Sequence, residues 1–169
     1  MNAKPLPSYD RVRELFDYAP ESGVLSWRVR NGKMLPGSVA GVVRGDGQRI
    51  VGIDGISYRA HRIIWLWMTG SDPAGKQVDH EDTDRGNNRW KNLRLATNAE
   101  NSRNRSAQSN NKSGDGLKGA YQMWNGTWYS RIWDGSRDVY LGTFPSEADA
   151  HAAYAAKAKE LFGEFARAA

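Results

Sequence analysis

One segment, SAQSNNKSGDG at residues 106–116, has no large apolar side chain and consists mostly of Ser, Asn and Gly. Such a composition cannot bury enough surface to order itself, so we predict a flexible linker. The linker divides a chain of 169 residues into two parts, each with room for one small core. A large multidomain enzyme is therefore excluded, and we expect one domain at 1–105 and another at 117–169.

Composition narrows the class of protein further. The chain has no cysteine, so we expect neither disulfide bonds nor a thiolate zinc site. We also expect an intracellular protein that is not secreted and has no membrane partner, because its start has no signal-peptide core and no stretch reaches the ~20 apolar residues of a membrane span. Residues 1–78 hold 11 bases and 7 acids, and this excess favours a polyanionic partner.

The first part shows signals for short helices and strands. Ser8 is placed to cap a short helix whose Val12, Leu15 and Phe16 share an apolar face. The segment VLSWRV is typical of a strand, and two β-prone runs in residues 47–60 flank an Asp-Gly pair, which predicts a hairpin. His61 to Met68 follows as a predicted helix.

The second part shows a different pattern. The runs AYQMW, TWYSRIW and DVYLGTF are separated by Asn-Gly and Asp-Gly pairs, which predicts a three-stranded antiparallel sheet. Ser146 and Asp149 form a capping box that starts an alanine-rich helix ending at Gly163. Both parts together predict the α+β fold class.

Residues 77–104 contain the groups best suited to chemistry. Asp79 and His80 precede a run rich in asparagine. Hard oxygen ligands suit one magnesium or manganese ion, which two protein oxygens hold weakly unless a substrate phosphate completes the shell. A histidine titrates near neutral pH and can take a proton from water. From residue types alone, a hydrolytic site and an ordinary polar loop both remain open.

The pattern V-D-H, N-N-R-x-x-N-L-R and E-N-S-x-N resembles the HNH endonuclease motif, in the form that ends in Asn. The stretch from ESGVLSWR through YRAHRIIWLWMTG also resembles phage-type HNH homing endonucleases, so the likeness covers residues 9–105, with the motif core at 77–105. It implies a ββα-metal fold that holds one divalent cation. It further implies Asp79 and Asn101 as metal ligands, His80 as the general base, and Asn92 as the amide that braces the loop and orients the histidine.

The stretches GLKGAYQMWNGTWYSRI and YLGTFPSEADAHAAYAAKAKELFGEFA resemble the ethylene-response-factor (APETALA-type) DNA-binding domain over residues 117–166. That domain packs a three-stranded sheet on one helix and lays the sheet in the DNA major groove. Strand alternation predicts an inner face of Trp128, Ser130, Ile132, Val139 and Leu141. The face towards DNA then comprises Lys118, Tyr121, Met123, Arg131, Trp133, Asp138 and Tyr140. Because this face has few arginines, we expect contacts to thymine methyls, sugars and phosphates.

Several further residues have two possible roles. Five arginines near the motif either bind phosphate or form a solvent-exposed face: Arg85, Arg89, Arg94, Arg103 and Arg105. Of these, we assign Arg103 and Arg105 to DNA binding. His61 starts an apolar helix away from the motif, so we expect it to be structural, and we expect His151 on the surface. We expect four tryptophans in the core: Trp27, Trp65, Trp67 and Trp90.

Together these features predict a metal-dependent HNH endonuclease of the homing type, tethered to double-stranded DNA by a second domain and acting in the cytoplasm of a bacterial host. Its origin is then a phage or mobile element. A monomer nicks one strand, whereas a homodimer cuts both. Two alternatives stay open: a DNA-binding regulator with an inactive HNH scaffold, and a nonspecific or structure-selective HNH nuclease.

Overall fold

A computed structural model describes residues 5–73, 75–103 and 116–166. The chain divides into two compact units, one ending at Asn98 and the other beginning at Ala99. Helices and small antiparallel sheets make up both units, which confirms the α+β fold class. Nearly all of the predicted linker lies outside the described residues, so the domain limits at 105 and 117 stay predictions. No helix in the described ranges is long and apolar enough to cross a membrane.

The first unit contains three small sheets and two helices, and a third helix begins at its end. In chain order its elements are α1 (Tyr9–Leu15), β1 (Phe16–Ala19), β2 (Val24–Trp27), β3 (Val42–Val43), β4 (Arg49–Ile53), β5 (Ile56–Arg59), α2 (Ala60–Thr69), β6 (Gln77–His80), β7 (Leu93–Ala96) and α3 (Asn98–Arg103). The antiparallel sheets are β1-β2, β3-β4-β5 and β6-β7. A single apolar core extends from Val12 in α1 to Leu93 in β7 and includes residues of β1, β2, β4, β5, α2 and β6.

The start of the unit shows where local signals succeed and where they fail. Ser8 caps α1 by accepting a hydrogen bond from the backbone N–H of Arg11 at 3.2 Å, as predicted. The helix ends at Leu15, however, and Phe16, predicted on the helix face, begins β1. Phe16 is fully buried and its ring lies 4.6 Å from that of Trp27. Helix and strand periodicity both bury this side chain, so burial alone could not distinguish them.

The central hairpin and the helix after it follow their sequence signals. Asp54 and Gly55 both have positive φ, at 49° and 78°, as a two-residue turn between β4 and β5 requires. The helix α2 ends at Gly70, whose φ of 72° gives the left-handed cap. The edge strand β3 was not predicted, because Val42 and Val43 are both exposed and show no alternation.

The turn between β1 and β2 packs tightly on the segment 88–90. The backbone N–H of Trp90 donates to the Pro20 carbonyl at 3.1 Å, and the buried Tyr18 hydroxyl donates to the Asn88 carbonyl at 2.7 Å. Gly23 lies so close that a Cβ there would be 2.5 Å from the Arg89 nitrogen. This turn therefore fixes the backbone of a segment that is distant in sequence.

The second unit is a sheet covered by one helix. Its strands β8 (Ala120–Gln122), β9 (Trp128–Trp133) and β10 (Asp138–Phe144) form the sheet order β10-β9-β8, and α4 (Glu147–Phe162) packs on all three. This three-stranded arrangement and the cap at Ser146, which accepts from the Asp149 N–H at 3.1 Å, were both predicted. Trp128, Ser130 and Ile132 are buried as expected. Val139 and Leu141 are only half-buried, beside an irregularity in strand register between Tyr140 and Gly142.

We expect Gly23→Ala to destabilise the first unit. The new methyl group would meet the Asn88–Arg89 backbone, and φ of +75° is strained for alanine. Gly32→Ala is the matched control, because φ is +59° there and no atom lies within 4 Å. Urea denaturation should show Gly23→Ala to be less stable than this control by about 1–3 kcal/mol. Equal stabilities would show that the turn is not in tight contact with segment 88–90.

The buried His61 gives the first unit a defined sensitivity to acid. Burial is the main cause that lowers the pKa of His61 to about 3, and nearby His80 and arginines add to it. In the unfolded chain a histidine binds its proton near pH 6.5, whereas the folded protein excludes that proton down to about pH 3, so acidification between these values favours unfolding. This group alone should lower the free energy of unfolding by up to about 1.4 kcal/mol per pH unit within that window.

Urea titrations at a series of pH values should show a shallower dependence for His61→Phe than for the wild type. The variant retains a ring but cannot bind a proton, and all other titrating groups are shared. The slope with pH, and not the absolute stability, is the quantity to compare. Parallel slopes would mean that His61 is already protonated in the folded protein.

Candidate active site

Asp79 and His80 lie at the end of the β6–β7 ribbon. In this ribbon Asp79 pairs with Arg94 and His80 pairs with Leu93. Both residues are buried: Asp79 is 8% exposed and His80 is 5% exposed. The chain turns directly after His80, where the Thr83 N–H donates to the His80 carbonyl at 3.0 Å. Adjacent residues of a regular strand face opposite sides, so an end of this kind is needed if both are to serve one phosphate.

The imidazole of His80 is held by a buried amide. Its Nε2 lies 3.1 Å from Oδ1 of Asn88. The Asn88 amide nitrogen donates to the Gly86 carbonyl at 3.3 Å, which leaves Oδ1 as an acceptor for an Nε2–H. With the proton on Nε2, Nδ1 is the ring nitrogen that can accept a proton. This arrangement suits a general base.

Asn92 serves the loop and not the imidazole itself. Its amide nitrogen donates to Oδ1 of Asp82 at 2.9 Å and to the Asn87 carbonyl at 2.8 Å, and its oxygen accepts from the Asp82 N–H at 3.1 Å. Partial burial opposes ionisation of Asp82, but hydrogen bonds from Asn87 and Asn92 outweigh it and lower its pKa. The loop after His80 is thus braced by Asn92, and the hydrogen bond to the imidazole is made by Asn88.

The expectation that His61 lies away from the motif was wrong. Its ring is perpendicular to that of His80, with centroids 5.0 Å apart, because α2 packs against β6. His61 is neutral near pH 7, since its pKa is lowered to about 3. It therefore adds a packing surface beside His80 without adding a charge. No local sequence signal predicts that residues 61, 80 and 88 lie close together. They become neighbours through the packing of α2 and of the β1–β2 turn.

Asp79 is the carboxylate of the candidate metal site. Arg94 on the paired strand reaches its Oδ2 at 3.4 Å through both Nε and Nη2, longer than the roughly 2.7–2.9 Å of a tight charge-assisted bond. A carboxylate has about four acceptor positions, so Arg94 and a cation can share it. Among the described residues, no three His, Cys, Asp or Glu side chains gather into a metal-binding group. Asn101, on α3 in the second unit, remains a predicted ligand.

The arginines near the motif have internal partners. Arg94 pairs with Asp79, Arg85 reaches Asp46 at 3.5 Å, and Arg89 donates to the Glu21 carbonyl at 3.1 Å. Arg89 thus helps hold the β1–β2 turn. The side chain of Arg103 and all of Arg105 lie outside the described residues, so their predicted DNA contacts stay predictions.

In the second unit, the predicted DNA face is a continuous aromatic surface. The rings of Tyr121 and Tyr129 stack 5.2 Å apart, and the Arg131 guanidinium lies 5.2 Å over Tyr121. Arg131 also reaches Asp138 at 3.5 Å. Trp133 and Tyr140 are 55% and 63% exposed. This face offers exposed rings, and its Arg131 is partly neutralised by Asp138, which suits contacts to sugars and base faces better than guanine readout.

The remaining predicted residues differ in detail. Lys118 places its amine 5.9 Å from the Tyr154 ring, and the sulfur of the half-buried Met123 accepts from the Thr127 hydroxyl at 3.6 Å. His151, expected on the surface, is half-buried, and its Nδ1 lies 2.8 Å from the Lys118 carbonyl. Trp124 was not singled out, although it is 95% exposed at the tip of the β8–β9 turn. Its place in an Asn-Gly hairpin was the available signal.

The tryptophans of the first unit follow expectation. Trp27 is buried in the core, and three others pack against it half-buried: Trp65, Trp67 and Trp90. The rings of Trp65 and Trp90 lie 5.0 Å apart. This pair links α2 to the segment that carries Asn92.

Known proteins resemble this chain over the region that holds the site. The family model described as HNH endonuclease matches residues 58–103, from β5 to α3. An uncharacterized HNH endonuclease of Acanthamoeba polyphaga mimivirus is 36% identical over 107 residues, which are 63% of this chain and 54% of the relative. Protein 3.8 of Escherichia phage T7 is 32% identical over 120 residues, which are 64% of this chain and 88% of the relative.

These matches cover only part of the chain. The chain spans about half the length of the mimivirus relative. No solved structure gives a significant match. The matched residues nevertheless include Asp79, His80, Asn88 and Asn92, which are the residues of the site described above. The chain belongs to the HNH endonuclease family.

Proposed function

We propose that the protein is a metal-dependent DNA endonuclease of the homing type, which hydrolyses phosphodiester bonds in double-stranded DNA. The observation that carries this proposal is the buried His80, whose Nε2 is fixed on Asn88 and which directly follows the buried Asp79 at the end of β6. The two viral relatives support a phage or mobile-element origin, and the relative from Escherichia phage T7 supports action in a bacterial host.

His80 acts in this proposal as the general base. Nδ1 takes a proton from the water that attacks the phosphorus, while Asn88 keeps the proton on Nε2 and holds the ring in place. The perpendicular His61 ring limits rotation of the imidazole without competing for the proton, because it is neutral. Asn92 keeps the following loop in the conformation that presents the base.

Asp79 and Asn101 would hold one magnesium or manganese ion. The donor set fits such an ion, since both side chains offer hard oxygens. Two protein oxygens give a weak site that a DNA phosphate completes. When bound, the ion supplies Lewis-acid stabilisation of the charge that develops on the phosphate and on the leaving 3′ oxygen.

The second unit acts in this proposal as a DNA-binding module similar to the ethylene-response-factor type. Its sheet presents Trp133, Tyr140 and the Tyr121–Arg131 pair on the side away from α4. Tethering such a surface to the nuclease raises the effective concentration of the catalytic residues near a bound sequence. This adds affinity and selectivity without new chemistry.

The test of catalysis is cleavage of supercoiled DNA with magnesium, with manganese, or with excess EDTA. We expect the wild type to give nicked or linear DNA only when metal is present. His80→Ala should be slower by about 10²–10⁴-fold, because it removes the base. Its affinity for DNA in EDTA should match that of the wild type, since no phosphate contact is lost. Asn88→Ala should be slowed by a smaller factor, because the base remains but is no longer fixed.

His151→Ala is the matched histidine control and should cut at close to the wild-type rate. Metal-independent cutting would contradict the proposed metal dependence, and equal cutting by His80→Ala would contradict the proposed base. Retarded mobility of the DNA without any cutting, also on cognate DNA, would favour the DNA-binding regulator. Discrete products would support a homing enzyme, whereas a smear would indicate a nonspecific nuclease.

The test of the second unit is DNA affinity. We expect the double variant Trp133→Ala/Tyr140→Ala to bind duplex DNA about tenfold more weakly or worse, because two exposed rings are lost. Leu161→Ala, which removes an exposed apolar side chain from α4, should bind like the wild type. Fluorescence anisotropy in EDTA measures both. Equal affinity of the double variant would mean that the sheet does not contact DNA.

A further inference from the structure

A long acid-free stretch lies in the first unit, outside the catalytic site. Residues 22–45 contain four basic residues and no Asp or Glu. This stretch accounts for much of the positive charge of the first unit, which neither the candidate active site nor the second unit uses. The stretch contains β2 and β3 and ends before β4, so these strands fix the path of its backbone.

Part of the stretch projects as a closed loop. The chain leaves β2 after Trp27 and returns at Gly37, whose N–H donates to the Trp27 carbonyl at 2.7 Å. At the tip, Asn31 and Met34 exchange two backbone hydrogen bonds of 3.1 and 3.0 Å, with Gly32 and Lys33 between them. Backbone bonds thus close both the base and the tip of this loop.

The basic side chains of the stretch differ in how they are neutralised. Arg28 pairs with Asp17 at 2.6 Å. Arg30 donates through Nε to the Gly32 carbonyl at 3.3 Å and so braces the tip. Within the described parts of the chain, Arg30, Lys33 and Arg44 form no ion pair with a carboxylate. The exposed Arg44 begins the turn into β4, where its N–H donates to the Gln48 carbonyl at 2.8 Å.

Exposed apolar side chains concentrate in the same stretch. Twelve large apolar side chains are exposed in the described chain, and five of them lie in ten consecutive residues: Met34, Leu35, Val39, Val42 and Val43. Val42 is 70% exposed and Leu35 is 58% exposed. A concentration of this kind on a surface rimmed by cations is typical of an interaction site.

We propose that residues 28–44, here called the basic strip, form a second DNA-binding surface on the nuclease unit. Arg30, Lys33 and Arg44 bind backbone phosphates, and the exposed aliphatic side chains contact deoxyribose sugars. The strip deepens the proposed function, on which it rests, by giving the nuclease unit its own grip on DNA. It acts without base readout, because phosphate contacts carry no sequence information.

The spacing of the cations favours a long polyanion over a small anion. Lys33 lies at the Asn31–Met34 tip, whereas Arg44 begins the turn into β4, so the two cations lie in separate loops. Cations on separate loops suit DNA, which carries a charge about every 1.7 Å along its axis, better than one small anion. The strip also exposes no Trp, Tyr or Phe, the rings that anchor membrane-surface segments, so DNA is favoured over an anionic lipid surface.

The test is the salt dependence of DNA binding by the full chain in EDTA, where no cutting occurs. The probe is a short, fluorescently labelled duplex of mixed sequence. Lys33→Ala/Arg44→Ala should lower the slope of log affinity against log salt by about 2, because each lost phosphate contact contributes about 0.9. Lys76→Ala/Arg137→Ala removes the same charges elsewhere and should keep the wild-type slope. Lys33→Arg/Arg44→Lys should also keep it, since charge is conserved.

Three outcomes would overturn the proposal. The first is that the alanine pair and the control pair have the same slope. The second is that the charge-conserving pair loses as much slope as the alanine pair. The third is that phosphatidylserine vesicles bind the wild type but not the alanine pair, while the two have equal slopes with DNA. Cleavage of supercoiled DNA by the wild type with magnesium is measured in parallel. If the wild type cuts DNA but the alanine pair has an unchanged slope, only the proposed role of the basic strip is contradicted. If the slope changes but the wild type does not cut, the proposed nuclease activity is contradicted and the role of the strip is retained.

Discussion

The hydrogen bond between Nε2 of His80 and Oδ1 of Asn88 is the contact on which the candidate site depends. It sets the orientation of the imidazole ring, and its geometry depends on elements far away in sequence. The Tyr18 hydroxyl donates to the Asn88 carbonyl, and Gly23 packs closely on the same backbone. The imidazole is flanked by His61 from α2. The His80 ring at the end of a short ribbon is therefore positioned by several elements of the first unit.

Burial and polarity are balanced differently at the two histidines. His61 excludes its proton because it lies among apolar side chains and near several cations, which lowers its pKa to about 3. His80 keeps a polar partner, and the loop beyond it is rich in hydrogen bonds through Asn92 and Asp82. The neutral His61 ring therefore acts as rigid packing, while the His80 ring is held by a polar partner.

Local signals predicted much of the fold. The caps at Ser8 and Ser146, the Asp54-Gly55 turn and the three strands of the second unit all follow from residues within a few positions of one another. The site was predicted only in part. Asp79 and His80 stand out by type and order, but the roles of Asn88 and His61 arise from tertiary packing. Phe16 shows the same limit, because its burial satisfies either a helix or a strand.

The close packing of the β1–β2 turn on segment 88–90 bears on how such a nuclease can be inherited or transplanted. The family match begins at residue 58, yet Tyr18, Pro20 and Gly23 all contact the segment that holds the His80 imidazole. A graft of the matched region into another protein would carry the candidate site residues but leave their support behind. The structural unit that positions these residues is thus larger than the matched signature, and recombination inside residues 18–90 would separate His80 from its scaffold.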